Sequence, residues 1–66
     1  MAYFIVAIRD GRGAQWEAHF GDYDQEAAKA ELEDVLESYD RCNTRLLRLP
    51  TDSQAAIDSA IAELNK

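Results

Sequence analysis

The fold is predicted from residues 2–20, AYFIVAIRDGRGAQWEAHF, which contain two alternating apolar segments joined by a glycine turn. Residues 2–10 are rich in aromatic and β-branched side chains, which favour a strand, and residues 14–20 alternate in the same way. Between them, residues 11–13 can form a three-residue loop in which Gly13 adopts the left-handed conformation. This loop predicts the pairs Asp10–Ala14, Ile8–Trp16, Val6–Ala18 and Phe4–Phe20. A two-residue loop would instead set Val6 against Glu17.

Two helices and a third strand are predicted after this hairpin. Asp22 or Asp24 can cap a first helix that runs to Tyr39, with an apolar stripe of Ala28, Leu32, Val35, Leu36 and Tyr39. Residues 44–49 (TRLLRL) predict a strand that Pro50 stops. Residues 51–54 form a capping box, with Thr51 as the cap, for a last helix at about residues 52–65. That helix would bury Ile57, Ala60, Ile61 and Leu64.

The order ββαβα predicts an α+β fold of two layers. A helix between the second and third strands makes these two strands parallel, through a right-handed crossover. The third strand then lies beside the apolar first strand, in the order 2-1-3. Both helices are expected on one face of the sheet, against Phe4, Val6, Ile8, Trp16, Ala18, Phe20, Leu47 and Leu49. The other face is expected to stay open, with Tyr3, Ile5, Ala7, Arg9, Gln15, Glu17, His19, Thr44, Leu46 and Arg48.

Length and composition predict one small domain over residues 1–66. Such a chain buries about 60% of its unfolded surface, so its core is small. Cys42 is the single cysteine, so no internal disulfide is possible and a reducing cytoplasmic location is expected. The longest apolar run, residues 2–8, is far shorter than the roughly 20 residues that span a bilayer, and the start lacks the pattern of a signal peptide.

The side chains with catalytic or metal-binding chemistry are few. A Cys42–His19 nucleophile pair would need contact between the two, and the predicted layout places them near opposite edges of the sheet. Zinc needs four ligands, and only these two good ones exist. The acids Asp22, Asp24, Glu26 and Glu33 are spaced like an EF-hand loop, but Ala27 stands where that loop needs glycine. We therefore expect no catalytic residue, no metal site and no cofactor.

Charge is the strongest functional signal in the sequence. The chain has a net charge of −6, and the segment from Asp22 to Asp40 holds eight acids and one base, Lys29, for a net −7. The rest of the chain holds five acids and six bases, for a net +1. A protein with this distribution is repelled by nucleic acid and anionic membranes and is attracted to basic surfaces.

Within this segment, the acids follow one side of the predicted helix. Glu26, Glu33, Glu37 and Asp40 fall within roughly 60° of one another, opposite the apolar stripe, with Glu31 and Asp34 on the flank. An ordinary solvated helix face would explain acids opposite a core. A helix chosen for stability alone would, however, alternate glutamate with lysine at a spacing of four residues. These six acids are therefore the predicted site for binding a protein partner.

In size, charge and layout the chain resembles the small anti-CRISPR proteins of phages and mobile elements. That resemblance implies an inhibitor that acts as a nucleic-acid mimic: the six acids would stand in for phosphates in the basic channel of a CRISPR effector. A fainter resemblance is to HicB-like antitoxins, through the Asp10-Gly11 turn between two strands and the acidic helix start at residues 24–28. The alternative is a homodimer, or an antitoxin-like interaction domain, that binds through the open sheet face. An enzyme would need Cys42 and His19 together.

Overall fold

A computed structural model describes residues 2–66 as a three-stranded sheet with two α-helices. The strands are β1 (Tyr3–Ile8), β2 (Glu17–Asp22) and β3 (Thr44–Leu49), and the helices are α1 (Gln25–Val35) and α2 (Gln54–Leu64). A short 3₁₀ helix, Arg41–Asn43, precedes β3. The strand order is β2-β1-β3, and both outer strands are antiparallel to β1 and hence parallel to each other. The α+β class, the element order and the strand order are as predicted.

The hairpin between β1 and β2 differs from the predicted register. Gly13 does adopt a positive φ, 88°, but β2 begins only at Glu17. Val6 pairs with Phe20 and Ala7 with Ala18, so His19 is an extra residue in β2, a β-bulge. One extra residue moves every later side chain to the other face. Phe20 therefore lies on the same face as Val6, whereas Ala18 lies on the face of Ala7.

The first face of the sheet packs against α1. Its core consists of Phe4 and Val6 from β1 and of Ala28 and Val35 from α1. Partly buried apolar side chains surround this core: Ala2, Ile8, Phe20, Leu32, Tyr39 and Leu46. Leu46 was expected on the open face, but it lies directly opposite Val6 in the sheet. The alternation along β3 then places Leu47 and Leu49 on the other face, contrary to the prediction.

The second face is covered by α2, so the expectation that both helices share one face is wrong. Ile5 and Ala7 are 3% and 0% exposed, yet they belong to a different face from the α1 core. No side chain of α2 is among those that pack on that core. At its C-terminal end, α2 meets Trp16, whose backbone N donates to Asn65 Oδ1 at 2.6 Å and whose carbonyl accepts from Asn65 Nδ2 at 3.3 Å.

Both helix starts are capped by side chains. The Asp24 carboxylate accepts from Glu26 N at 3.0 Å, and Ser53 Oγ accepts from Ala56 N at 3.2 Å. Ser53, not Thr51, is thus the cap of α2. The helix α1 ends at Val35 and not at Tyr39. After Val35 the backbone forms tighter, 3₁₀-type turns, because Glu37 N and Ser38 N donate to the carbonyls three residues back. Acids beyond Val35 also disfavour a longer helix, because its C-terminal end carries partial negative charge.

Candidate functional site

Five of the six predicted binding acids form an exposed group, which we call the acidic surface: Glu26, Glu33, Asp34, Glu37 and Asp40. The first three lie on α1, on the side away from the sheet, because Ala28 and Val35 fix the opposite side in the core. The last two lie in the chain after α1, outside the helix. The acidic surface is therefore part helix and part loop.

Glu31 is separate from the acidic surface. It is half-buried on the flank of α1, and its Oε2 lies 2.9 Å from Nε2 of His19. The β-bulge in β2 positions His19 for this contact. Glu31 thus ties α1 to the edge of the sheet and is less free than the other five acids to meet a partner.

The members of the acidic surface form no ion pair within residues 2–66. Over that range the ion pairs are His19–Glu31 and Lys66–Glu63, and neither involves the five acids. Lys29 is exposed on α1 and forms no ion pair with any described residue. Unneutralised carboxylates repel one another, which costs stability unless a positively charged surface meets them.

Two further acids at the start of α1 have local roles. Asp24 caps the helix, and Asp22 Oδ1 accepts from Asp24 N at 2.8 Å. These bonds hold the turn that leads from β2 into α1. The presence of Asp22 and Asp24 is therefore explained by local hydrogen bonds, without a binding partner. The segment with EF-hand-like spacing forms this turn and a helix, and not a calcium-binding loop. Glu33 lies within a continuous helix and cannot wrap an ion.

Tyr23 is an exposed aromatic side chain beside the acidic segment, and the sequence interpretation did not single it out. It is 45% exposed, and its ring stands edge-on to Tyr3 with 4.8 Å between the centroids. The pKa of the Tyr23 phenol lies above its usual value, first because of a hydrogen bond with the Asp52 carboxylate and then because of desolvation and the negative charge of Asp52. The sequence signal that could have identified Tyr23 was its position between Asp22 and Asp24, just before α1.

Cys42 and His19 each have other neighbours. Cys42 is exposed in the 3₁₀ helix, and its carbonyl accepts from Arg9 Nη2 at 3.0 Å. The His19 ring is hydrogen-bonded to the Glu31 carboxylate. Across residues 2–66, no group of three or more histidine, cysteine or acidic side chains is arranged to hold a metal ion. Over the same range, no helix is both long and apolar enough to cross a membrane.

No protein-family model, curated protein or solved structure matches this chain. Its function is therefore inferred from the chemistry of its surfaces.

Proposed function

We propose that this protein is an inhibitor that binds the basic, nucleic-acid-binding surface of a larger machine through its acidic surface. The observation that carries the proposal is the set of five exposed carboxylates that form no ion pair in the described chain. In this role the protein binds and does not catalyse.

The spacing of the acids supports mimicry of a phosphate backbone. Glu26 and Glu33 are seven residues apart on α1, about 10 Å along the helix axis, and Asp34 follows directly. Two carboxylates at this distance can meet separate arginine or lysine side chains of one groove. The core contacts of Ala28 and Val35 hold α1 in place, so little ordering of the backbone is needed on binding.

A CRISPR effector is the partner class that we favour. Such effectors hold a guide–target duplex in a positively charged channel and read its backbone and not its sequence. An acidic protein lodged there would exclude the nucleic acid. The setting would be the host cytoplasm, where the exposed Cys42 thiol stays reduced. The alternative of binding through an open sheet face loses its basis, because Ile5 and Ala7 are buried beneath α2.

The proposal can be tested by competition between this protein and target DNA for a purified effector with its guide RNA. The test variant is Glu33→Lys/Glu37→Lys, in which both side chains are exposed. The matched control is Asp58→Lys/Glu63→Lys, which changes the net charge equally on exposed positions of α2. We expect the test variant to lose competition by at least about tenfold and the control to compete nearly as well as the native protein.

Two results would overturn the proposal. One is binding of the effector without displacement of DNA, and the other is equal competition by the Glu33/Glu37 variant and the native protein. Inhibition should also weaken from 0.1 M to 1 M salt, because the Debye length falls from about 10 Å to about 3 Å.

A further inference from the structure

A second charged feature lies on the face of the sheet that α2 covers, and it has the opposite sign. The Cζ atoms of Arg9 and Arg45 lie 4.8 Å and 5.8 Å from the ring centroid of Trp16. Trp16 itself is 6% exposed. Two guanidinium groups therefore share one buried indole, at the end of the sheet where β1 turns toward β2.

The Arg9 side chain is held in a fixed position. Its Nε donates to Asn43 Oδ1 at 2.9 Å and its Nη2 donates to the Cys42 carbonyl at 3.0 Å. A guanidinium has five N–H donors, so three of them have no acceptor among residues 2–66. The indole beneath it is fixed in turn, because the side chain of Asn65 clamps the backbone of Trp16. A donor fork held this way needs little ordering to receive a ligand.

Arg45 supplies the second positive charge from the neighbouring strand. It pairs with Ala7 across the sheet, is exposed, and donates no hydrogen bond within residues 2–66. Neither arginine forms an ion pair in that range. Two like charges close to one ring repel each other, and a bound anion would lower that repulsion.

A shallow hollow of about 210 Å³ adjoins Arg9 and Trp16, and Arg45 lies outside its lining. Its polar lining consists of Arg9, Gln15, Asn65 and Lys66, and none of its lining residues is an aspartate or glutamate. Of the two cations in this lining, Lys66 pairs with Glu63 Oε1 at 3.2 Å, whereas Arg9 forms no ion pair within residues 2–66. The size of the hollow admits a compact ion or a small charged group.

We infer that Arg9 and Arg45 over Trp16 bind the phosphate group of a small molecule. A phosphate monoester carries a charge of about −1.5 to −2 near neutral pH, which matches two guanidinium groups better than the single charge of a carboxylate. Guanidinium forks also match phosphate oxygens in geometry. The indole is buried, so its ring has no free face on which a nucleobase could stack.

The test uses the fluorescence of Trp16, the single tryptophan of the chain. The protein is titrated with inorganic phosphate and with glycerol phosphate, and with chloride and acetate at matched ionic strength. We expect saturable changes with one or both phosphates and none with chloride. Tighter binding of glycerol phosphate would indicate an organic phosphate as ligand, and equal or tighter binding of inorganic phosphate would indicate the free ion. Acetate that binds as tightly as phosphate, or a response to ionic strength alone, would overturn the inference.

Two alanine variants localise the effect. Arg45→Ala should weaken phosphate binding by about tenfold or more, because it removes one of the two charge-assisted contacts. Arg48→Ala is the matched control: Arg48 is also exposed on β3, but it lies opposite Phe4, on the other face of the sheet. Circular dichroism checks that both variants remain folded. Equal weakening in both variants, or none in Arg45→Ala, would contradict the site.

Discussion

Gly21 is packed against an aromatic side chain and leaves no room for a methyl group. A Cβ added at Gly21 would lie 2.8 Å from Tyr3 Cζ and 2.9 Å from Ile5 Cδ1. The Tyr3 ring thus lies over the backbone of β2, and Tyr23 rests against its edge. The missing side chain of Gly21 lets these aromatic residues close the end of the sheet next to α1.

We predict that Gly21→Ala destabilises the protein by about 1–3 kcal/mol, because overpacking forces Tyr3 and Ile5 to move. Urea unfolding followed by circular dichroism measures the loss. Gly11→Ala is the control, since its Cβ would meet no atom within 4 Å and its φ is not positive. Equal stability of the two variants would show that the contact at Gly21 relaxes at no cost.

Trp16 is the other residue on which the fold depends. It is buried against the second face, beneath Arg9 and Arg45 and beside the end of α2. Trp16→Ala should cost about 3–5 kcal/mol, as other large-to-small core changes do. That is a large part of the stability of a small domain, so the variant should melt far below the native protein or fail to fold. A folded variant with an unchanged melting temperature would contradict this assignment.

At the scale of elements, α1 has a well-made start and a weak end. Asp24 caps its first turn and Glu26 suits the positive end of the helix dipole. Its last turn contains no basic residue, and Glu37 follows directly. The favourable charge at its start and the unfavourable charge at its end explain why the helix ends at Val35, whose side chain packs in the core.

Removing the cap tests how far α1 depends on its start. Asp24→Ala should lower the free energy of unfolding by about 1 kcal/mol, because Glu26 N loses its acceptor. Glu33→Ala removes one carboxylate from the middle of the same helix, where it accepts no hydrogen bond from residues 2–66, and should be neutral or slightly stabilising. Thermal melts compare the two variants. A greater loss in Glu33→Ala would mean that the acidic surface supports the fold.

The two edge strands are also protected from pairing with other chains. The β-bulge at His19 interrupts β2, and β3 carries the exposed charges of Arg45 and Arg48. Bulges and charges at sheet edges are common means of preventing association between edges. The central strand β1 needs no such device, because it has a neighbour on each side and a helix over each face.

For the whole molecule, the uneven charge predicts a dependence of stability on salt. With −7 concentrated between Asp22 and Asp40, screening should relieve repulsion within the folded state. We expect the melting temperature to rise as NaCl increases from about 0.01 M to 0.1 M, where the Debye length falls from about 30 Å to about 10 Å. Glu33→Lys/Glu37→Lys should be more stable than the native protein at low salt and respond less to added NaCl. A melting temperature that falls with salt would contradict this view.

The kind and order of the elements could be predicted from the sequence, because they depend on local patterns. Alternation in residues 2–10, the turn at Gly13, the apolar stripe of α1 and the stop at Pro50 were enough for five of them. The apolar character of β1 also favoured its central position, with β2 on one side and β3 on the other. The acidic segment was visible for the same reason: charge can be counted without coordinates.

The face that each element covers could not be predicted, because it depends on packing between elements distant in sequence. One bulged residue, His19, moved Phe20 to the face opposite Ala18, and the adjacent Leu46 and Leu47 are both apolar, so their pattern could not choose a face. Covering Ile5 and Ala7 required α2 to lie opposite α1, an energetic consequence of packing and not of any local signal. The Arg9–Arg45–Trp16 cluster depends on the same packing, because its members are distant in sequence and meet through strand pairing and the contact of Asn65 with Trp16.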